Sequence, residues 1–114
     1  MDNIKDDKYR IKKLLKDINF VINVLKDITI EEFEKNEILC DSICFRFIQI
    51  AETVSKISIE FIEKHKDIPI YQLNGMRNRI VHDYGNVDMS IVYYTVKNDL
   101  CIFKEKLINS LSRD

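Results

Sequence analysis

Glycine and proline are nearly missing from this 114-residue chain, which has two of the first and one of the second. Antiparallel sheets draw on turn glycines, and parallel sheets need a turn at every βα junction, so the shortage argues against both. Long helices with few connections are what remains. An excess of charge is missing too: 18 Lys and Arg stand against 19 Asp and Glu, a net charge of −1. No global basic field therefore marks a nucleic-acid binder, although a local cluster of Arg can hold phosphate on a neutral protein. No apolar run approaches the ~20 residues of a membrane span. The opening MDNIKDDKYRIKK is charged throughout and lacks the apolar centre of a signal peptide. These absences predict a cytoplasmic protein with no membrane contact. Cysteine is sparse and odd in number, at Cys40, Cys44 and Cys101, so reduced thiols are expected rather than a disulfide framework. Cys40 and Cys44 lie about one helical turn apart, but no second Cys or His pair supplies the other ligands of a structural zinc site. They read as small buried hydrophobes, and neither a metal nor another cofactor is expected.

Hydrophobic residues make up 46% of the chain and charged residues 32%, an ordinary balance for one folded domain spanning residues 1–114. From Ile4 to Asp27, apolar residues recur at Ile11, Leu14, Leu15, Ile18, Val21, Ile22 and Leu25, a helical stripe opposed by Lys and Asp. Thr29 followed by Glu32 is a capping-box pattern that starts a second helix near Ile30. Ile43, Phe47, Ile50, Ala51, Val54 and Ile57 repeat the stripe over Ile38–Ile57. Whether Glu31–Lys35 is a separate helix or the front of that one stays open. A short charged stretch runs from Ser58 to His65, and His65, within Glu63-Lys64-His65-Lys66, reads as a surface residue. Pro69 reads as the first residue of a helix over Ile70–His82, where its missing N–H costs nothing.

Asp83-Tyr84-Gly85-Asn86 then breaks the chain, with Gly85 expected in the left-handed conformation that ends many helices. Asp88 is the expected N-cap of a last helix, Met89–Ser110, striped by Val92, Val96, Leu100, Phe103, Leu107 and Leu111. Three long amphipathic helices and one or two short ones predict an all-α antiparallel bundle. Val24, Phe45, Ile48, Tyr93 and Ile102 fall off the main stripes. Exposed apolar patches of that kind mark partner surfaces, which favours a homodimer.

The rare bend formers Pro69, Gly75 and Gly85 all lie in one segment, and so do the residues fit for chemistry. Gly75-Met76-Arg77-Asn78-Arg79-Ile80-Val81-His82-Asp83-Tyr84-Gly85 holds two Arg, an amide, a His and a phenol. Arg presents a fork of donors to phosphate oxygens and stays charged. His can take or give a proton near neutrality. Together they suffice for metal-free phosphodiester chemistry, one moving a proton and the other neutralising charge on the phosphorane. At ~100° per residue, Asn78 and His82 lie about 40° apart on a helix, whereas Arg77 is about 140° from His82. On a regular helix Arg77 and His82 of one chain do not converge on one atom. Either the helix distorts, or a second chain completes the site.

The segment Leu73–Asp88, LNGMRNRIVHDYGNVD, resembles the signature of HepT-type toxins of the HEPN superfamily. That signature is an Arg, a polar residue, three variable residues and a His, then one residue and a Tyr. Arg77, Asn78, Arg79-Ile80-Val81, His82, Asp83 and Tyr84 fit it, and Ile50-Ala51-Glu52 extends the likeness, with Ala51 where the family often has Gly. The resemblance implies a helical HEPN-like fold and a metal-independent endoribonuclease toxin acting as a homodimer, with both motifs lining one cleft. It assigns Arg77 to the scissile phosphate, His82 to proton transfer, and Asn78 to orienting the site. The RNA 2′-hydroxyl would attack its neighbouring phosphate. The resemblance also implies an MntA-like nucleotidyltransferase antitoxin that places AMP on Tyr84, adding bulk and negative charge two residues from His82. The alternative is a non-catalytic helical partner that helps such a nucleotidyltransferase bind its substrate.

Overall fold

The structure is a computed structural model that describes residues 3–113. Seven α-helices follow one another along the described residues: α1 (Asn3–Leu25), α2 (Ile30–Lys35), α3 (Glu37–Ser55), α4 (Ile59–Lys64), α5 (Ile70–His82), α6 (Met89–Tyr94) and α7 (Leu100–Arg113). A 3₁₀ turn, Tyr84–Asn86, lies between α5 and α6, and a π-helical segment, Thr95–Asp99, joins α6 to α7. The molecule measures 45 × 29 × 20 Å; its thinnest dimension equals two helix diameters of ~10 Å. None of the described helices is long and apolar enough to cross a membrane.

The core follows the stripes. Ile11, Leu14, Ile18, Val21 and Leu25 of α1 are completely buried, facing Ile43, Phe47, Ile50 and Val54 of α3 and Val96, Leu100, Phe103 and Leu107 of the last helical stretch. Helix α1 packs on both α3 and α7, and α3 in turn carries α5. The all-α bundle expected from the stripes is therefore the observed fold.

Local polar bonds set the breaks. The Thr29 hydroxyl accepts from the Glu32 N–H at 3.1 Å, and the Glu32 carboxylate accepts from the Thr29 N–H at 2.9 Å, completing the capping box. Asn36 settles the open question between the second and third helices. It ends α2 in an extended conformation and caps α3 by accepting from the Leu39 N–H at 3.0 Å, so Ile30–Lys35 is a helix of its own. The buried Asp7 carboxylate of α1 accepts from the N–H and hydroxyl of Ser58, at 2.9 and 2.5 Å, pinning the start of α4 to α1.

Six expectations need correction, four of them in the backbone. The last helix is not continuous: the Leu100 N–H bonds to Thr95 O, an i→i−5 bond that widens one turn. The stripe Val92, Val96, Leu100 advances by four residues twice, which on a regular α-helix drifts about 80° around the axis. A wider turn absorbs the drift and keeps all three residues inside. Gly85 is not left-handed, since no described residue has a positive φ. The chain turns instead through right-handed 3₁₀ backbone, with the Asn86 N–H on Asp83 O at 3.0 Å and the Val87 N–H on Tyr84 O at 3.1 Å. Nor is Gly75 a bend; it lies inside α5 with open space where a Cβ would be. Pro69 precedes α5 rather than opening it, with φ −82° and ψ 66°, and the Ile70 N–H reaches back to Ile68 O at 2.9 Å, an inverse γ-turn.

The other two corrections concern side chains. His65 is buried, 4% exposed, with its ring 4.3 Å from that of Phe61. It continues the stripe Ile57, Phe61, His65, Ile68, all buried, while the flanking Lys64 and Lys66 face solvent. Tyr93, expected off the stripe, is buried beneath α2, its ring 5.7 Å from that of Phe33 and its hydroxyl donating to Ile28 O. Phe45 and Ile102 remain exposed as expected, and Val24 and Ile48 are half-buried.

Candidate functional site

Helix α5 seats itself on the bundle through Leu73, Met76 and Ile80, each buried. The spacing of three and four residues leaves the rest of its surface outward. Arg77 is half-buried, and Asn78, Arg79 and His82 are exposed. None of these outward side chains belongs to the core, so packing gives no reason for their chemistry. The helix stays regular as far as His82, with the Asp83 N–H on Arg79 O at 3.0 Å. The distortion that would bring Arg77 and His82 together within one chain does not occur.

What the structure does bring together is Arg77 and Asn78. Arg77 Nη1 donates to Asn78 Oδ1 at 3.0 Å. This fixes the amide with its carbonyl toward the guanidinium and leaves the amide N–H groups pointing elsewhere. His82 sits in the last turn of α5, where a positive charge complements the helix dipole. Among the described residues, no hydrogen bond joins His82 to Arg77 or Tyr84. Arg79, only about 60° from His82 around the helix, borders an open cleft of ≈ 570 Å³ between α5 and the start of α7.

After α5 the Asp83–Asp88 loop is tied down at both ends. Asn86 Nδ2 donates to Asp83 Oδ1 at 2.8 Å, and Asp88 caps α6 by accepting from the Ser90 N–H at 2.9 Å. Tyr84 makes the long-range tie, its hydroxyl donating to Asp41 Oδ1 of α3 beside the Cys44 thiol. Burial, and then the Asp41 carboxylate that accepts its proton, push the Tyr84 phenol above its ordinary value. Tyr84 is still 37% exposed. Asp41 was invisible to sequence reasoning. It lies 43 positions from Tyr84, on an exposed helix face with no motif around it.

Burial pushes the Cys44 thiol up to about 11, and the Cys40 thiol up as well. Cys40 donates to Phe33 O at 3.1 Å, and Cys44 lies 4.0 Å from the Met89 sulfur. Both are the small buried hydrophobes expected of free thiols. The raised value keeps Cys44 protonated at pH 8, where an ordinary thiol is about a quarter thiolate. Iodoacetamide at that pH should label native Cys44 on the order of a hundredfold more slowly than the urea-unfolded chain, as peptide mass spectrometry would show. Folding raises this pKa, so the associated stability is present at neutral pH. It is lost as pH climbs from the ordinary thiol value through 11.

The fold and the motif together define a class: a HEPN-type helical domain with an outward Arg-Asn-x3-His-x-Tyr segment at the end of one helix. The profile of the family described as "Ribonuclease HepT-like" matches residues 11–110, and the chain belongs to that family. A candidate RNase of Methanocaldococcus jannaschii is 33% identical over 110 residues, covering 94% of this chain and 95% of its own. Another, from Caldanaerobacter subterraneus, is 26% identical over 104 residues, covering 91% and 93%. A candidate ribonuclease HepT of Thermococcus cleftensis is 31% identical over 100 residues, covering 83% and 90%. No solved structure matches the chain significantly.

Proposed function

We propose that this chain is a metal-independent endoribonuclease, the toxin of a toxin–antitoxin pair, whose site forms where two copies bring their α5 helices together. The observation that carries the reading is the regular α5. It presents Arg77 and His82 outward on different sides, so one copy offers only half of a site. In a dimer, Arg77 of one copy would meet the scissile phosphate while His82 of the other moves the proton. His82 would take the proton of the RNA 2′-hydroxyl as that oxygen attacks phosphorus, and Arg77 would neutralise charge on the phosphorane. Asn78, oriented by Arg77, would hold the substrate in register. Family membership and the names of the relatives support ribonuclease chemistry.

Neutralisation would act through Tyr84. An MntA-like nucleotidyltransferase would place AMP on its exposed hydroxyl, setting bulk and a phosphate charge where the RNA backbone must lie. The catalytic reading is tested by incubating the purified chain with single-stranded RNA in EDTA. Products ending in a 2′,3′-cyclic phosphate are expected, and an oligonucleotide carrying 2′-deoxyribose at the cleaved positions should stay intact. No cleavage, or equal cleavage of the deoxy-substituted strand, would overturn it and favour a non-catalytic partner subunit.

A further inference from the structure

We propose that Asp41 is the proton acceptor for nucleotidyl transfer to Tyr84, so that the toxin carries the general base for its own modification. The inference rests on reading Tyr84 as the modified residue and adds a residue from another helix to that reaction. The Tyr84 hydroxyl donates to Asp41 Oδ1, which leaves the oxygen's lone pairs available to an electrophile arriving from the exposed side. Burial and the Asp41 bond make spontaneous phenolate scarce at neutral pH, so the phenol needs a base as it attacks. Asp41 is the group in contact with that proton. It is itself exposed, and among the described residues no Lys or Arg forms an ion pair with it. Among the described residues, the other titratable group against the phenolic oxygen is Cys44, which burial keeps protonated.

The step balances without any further reagent than a nucleoside triphosphate supplied by the partner enzyme. The phenolic oxygen bonds to the α-phosphorus, and the bond from that phosphorus to the bridging oxygen breaks. Pyrophosphate leaves with the electron pair, and the phenolic proton passes to Asp41. The product has no hydroxyl proton left to donate, and its phosphodiester charge lies beside the Asp41 carboxylate. Modification therefore also unfastens the loop from α3.

Asp41→Asn is the discriminating variant, because an amide oxygen still accepts a hydrogen bond but cannot take the proton. Wild type and variant are incubated with the cognate nucleotidyltransferase, ATP and Mg²⁺, and the adduct on Tyr84 is followed by mass spectrometry from pH 6 to 9. Asp41→Asn should lower kcat about a hundredfold at pH 7 with KM unchanged. Its rate should rise with pH while the wild-type rate stays level, and Asp41→Glu should restore part of the loss. Equal rates with parallel pH profiles, or a loss carried wholly by KM, would show Asp41 to be a latch and overturn the inference. Absence of any adduct on wild-type Tyr84 would instead sink the modification reading itself.

Discussion

An equimolar mixture of Arg77→Ala and His82→Ala chains should regain about a quarter of wild-type RNA cleavage, although each variant alone is inactive by ~10²–10⁴-fold. The single losses follow from the roles. In the proposed roles, removing His82 would remove the proton carrier, and removing Arg77 would leave the phosphorane charge without its donor fork. The recovery follows from geometry. A regular α5 sets the two side chains about 140° apart, so in the proposed dimer a working pair would be drawn from both copies. In a mixed dimer, one cleft receives the intact Arg77 of one chain and the intact His82 of the other, while the second cleft receives neither. Random exchange makes about half the dimers mixed, each with one of two sites working, which gives the quarter. A site contained within one chain predicts no recovery at any ratio. Both outcomes are read from initial rates on one labelled RNA, after subunit exchange under mild denaturant.

Most of the fold was legible because burial obeys helical periodicity. Ile11, Leu14, Ile18, Val21 and Leu25 are spaced to share a face, and that face is the one against α3 and α7. Caps were legible for the same local reason: Thr29, Asp88 and their partners lie within three residues of one another. The π-helical turn was latent in the doubled four-residue spacing from Val92 to Leu100, a deviation from 3.6 that a straight helix does not accommodate. His65 reads as surface in the sequence because its charged neighbours outweigh its distance of four from Phe61, and that distance is what buries it. The candidate site divides in the same manner. Arg77, Asn78, His82 and Tyr84 form one contiguous motif, so a resemblance reaches them. The Asp41 contact joins α3 to a loop 43 residues away, and no local pattern encodes such a pairing. Gly85 shows the opposite failure, in which permission is mistaken for use. Glycine allows a positive φ, but the hydrogen bonds of the Asp83–Val87 turn are satisfied without one.

Phe47 and Phe45 of α3, two residues apart, should separate the core from the surface of the proposed dimer. Phe47 is 1% exposed and sits in the same cluster as the buried α1 stripe. Phe47→Ala removes a ring at the centre of the α1–α3 contact and leaves a cavity. The expected cost is about 3–5 kcal/mol, a large share of the ~5–15 kcal/mol that holds a domain of this kind folded. In urea the midpoint should fall with the slope unchanged. Phe45 points about 160° away around the helix and is 63% exposed. Its truncation should leave the unfolding free energy of the dilute chain within about 0.5 kcal/mol. Ile38, 81% exposed, lies seven residues before Phe45 on the same side of α3, so the two form an apolar face flanking Asp41. Burying what remains exposed of Phe45 against a second copy is worth about 1.4 kcal/mol per chain, and a symmetric dimer buries it twice, so Phe45→Ala should weaken dimerisation about a hundredfold. Sedimentation across a concentration series reads that constant directly. A Phe45→Ala chain that dimerises like wild type would place the contact on another face of the bundle. A Phe47→Ala chain that melts like wild type would contradict the packing of α1 on α3 from which α5, and with it the whole motif, takes its position.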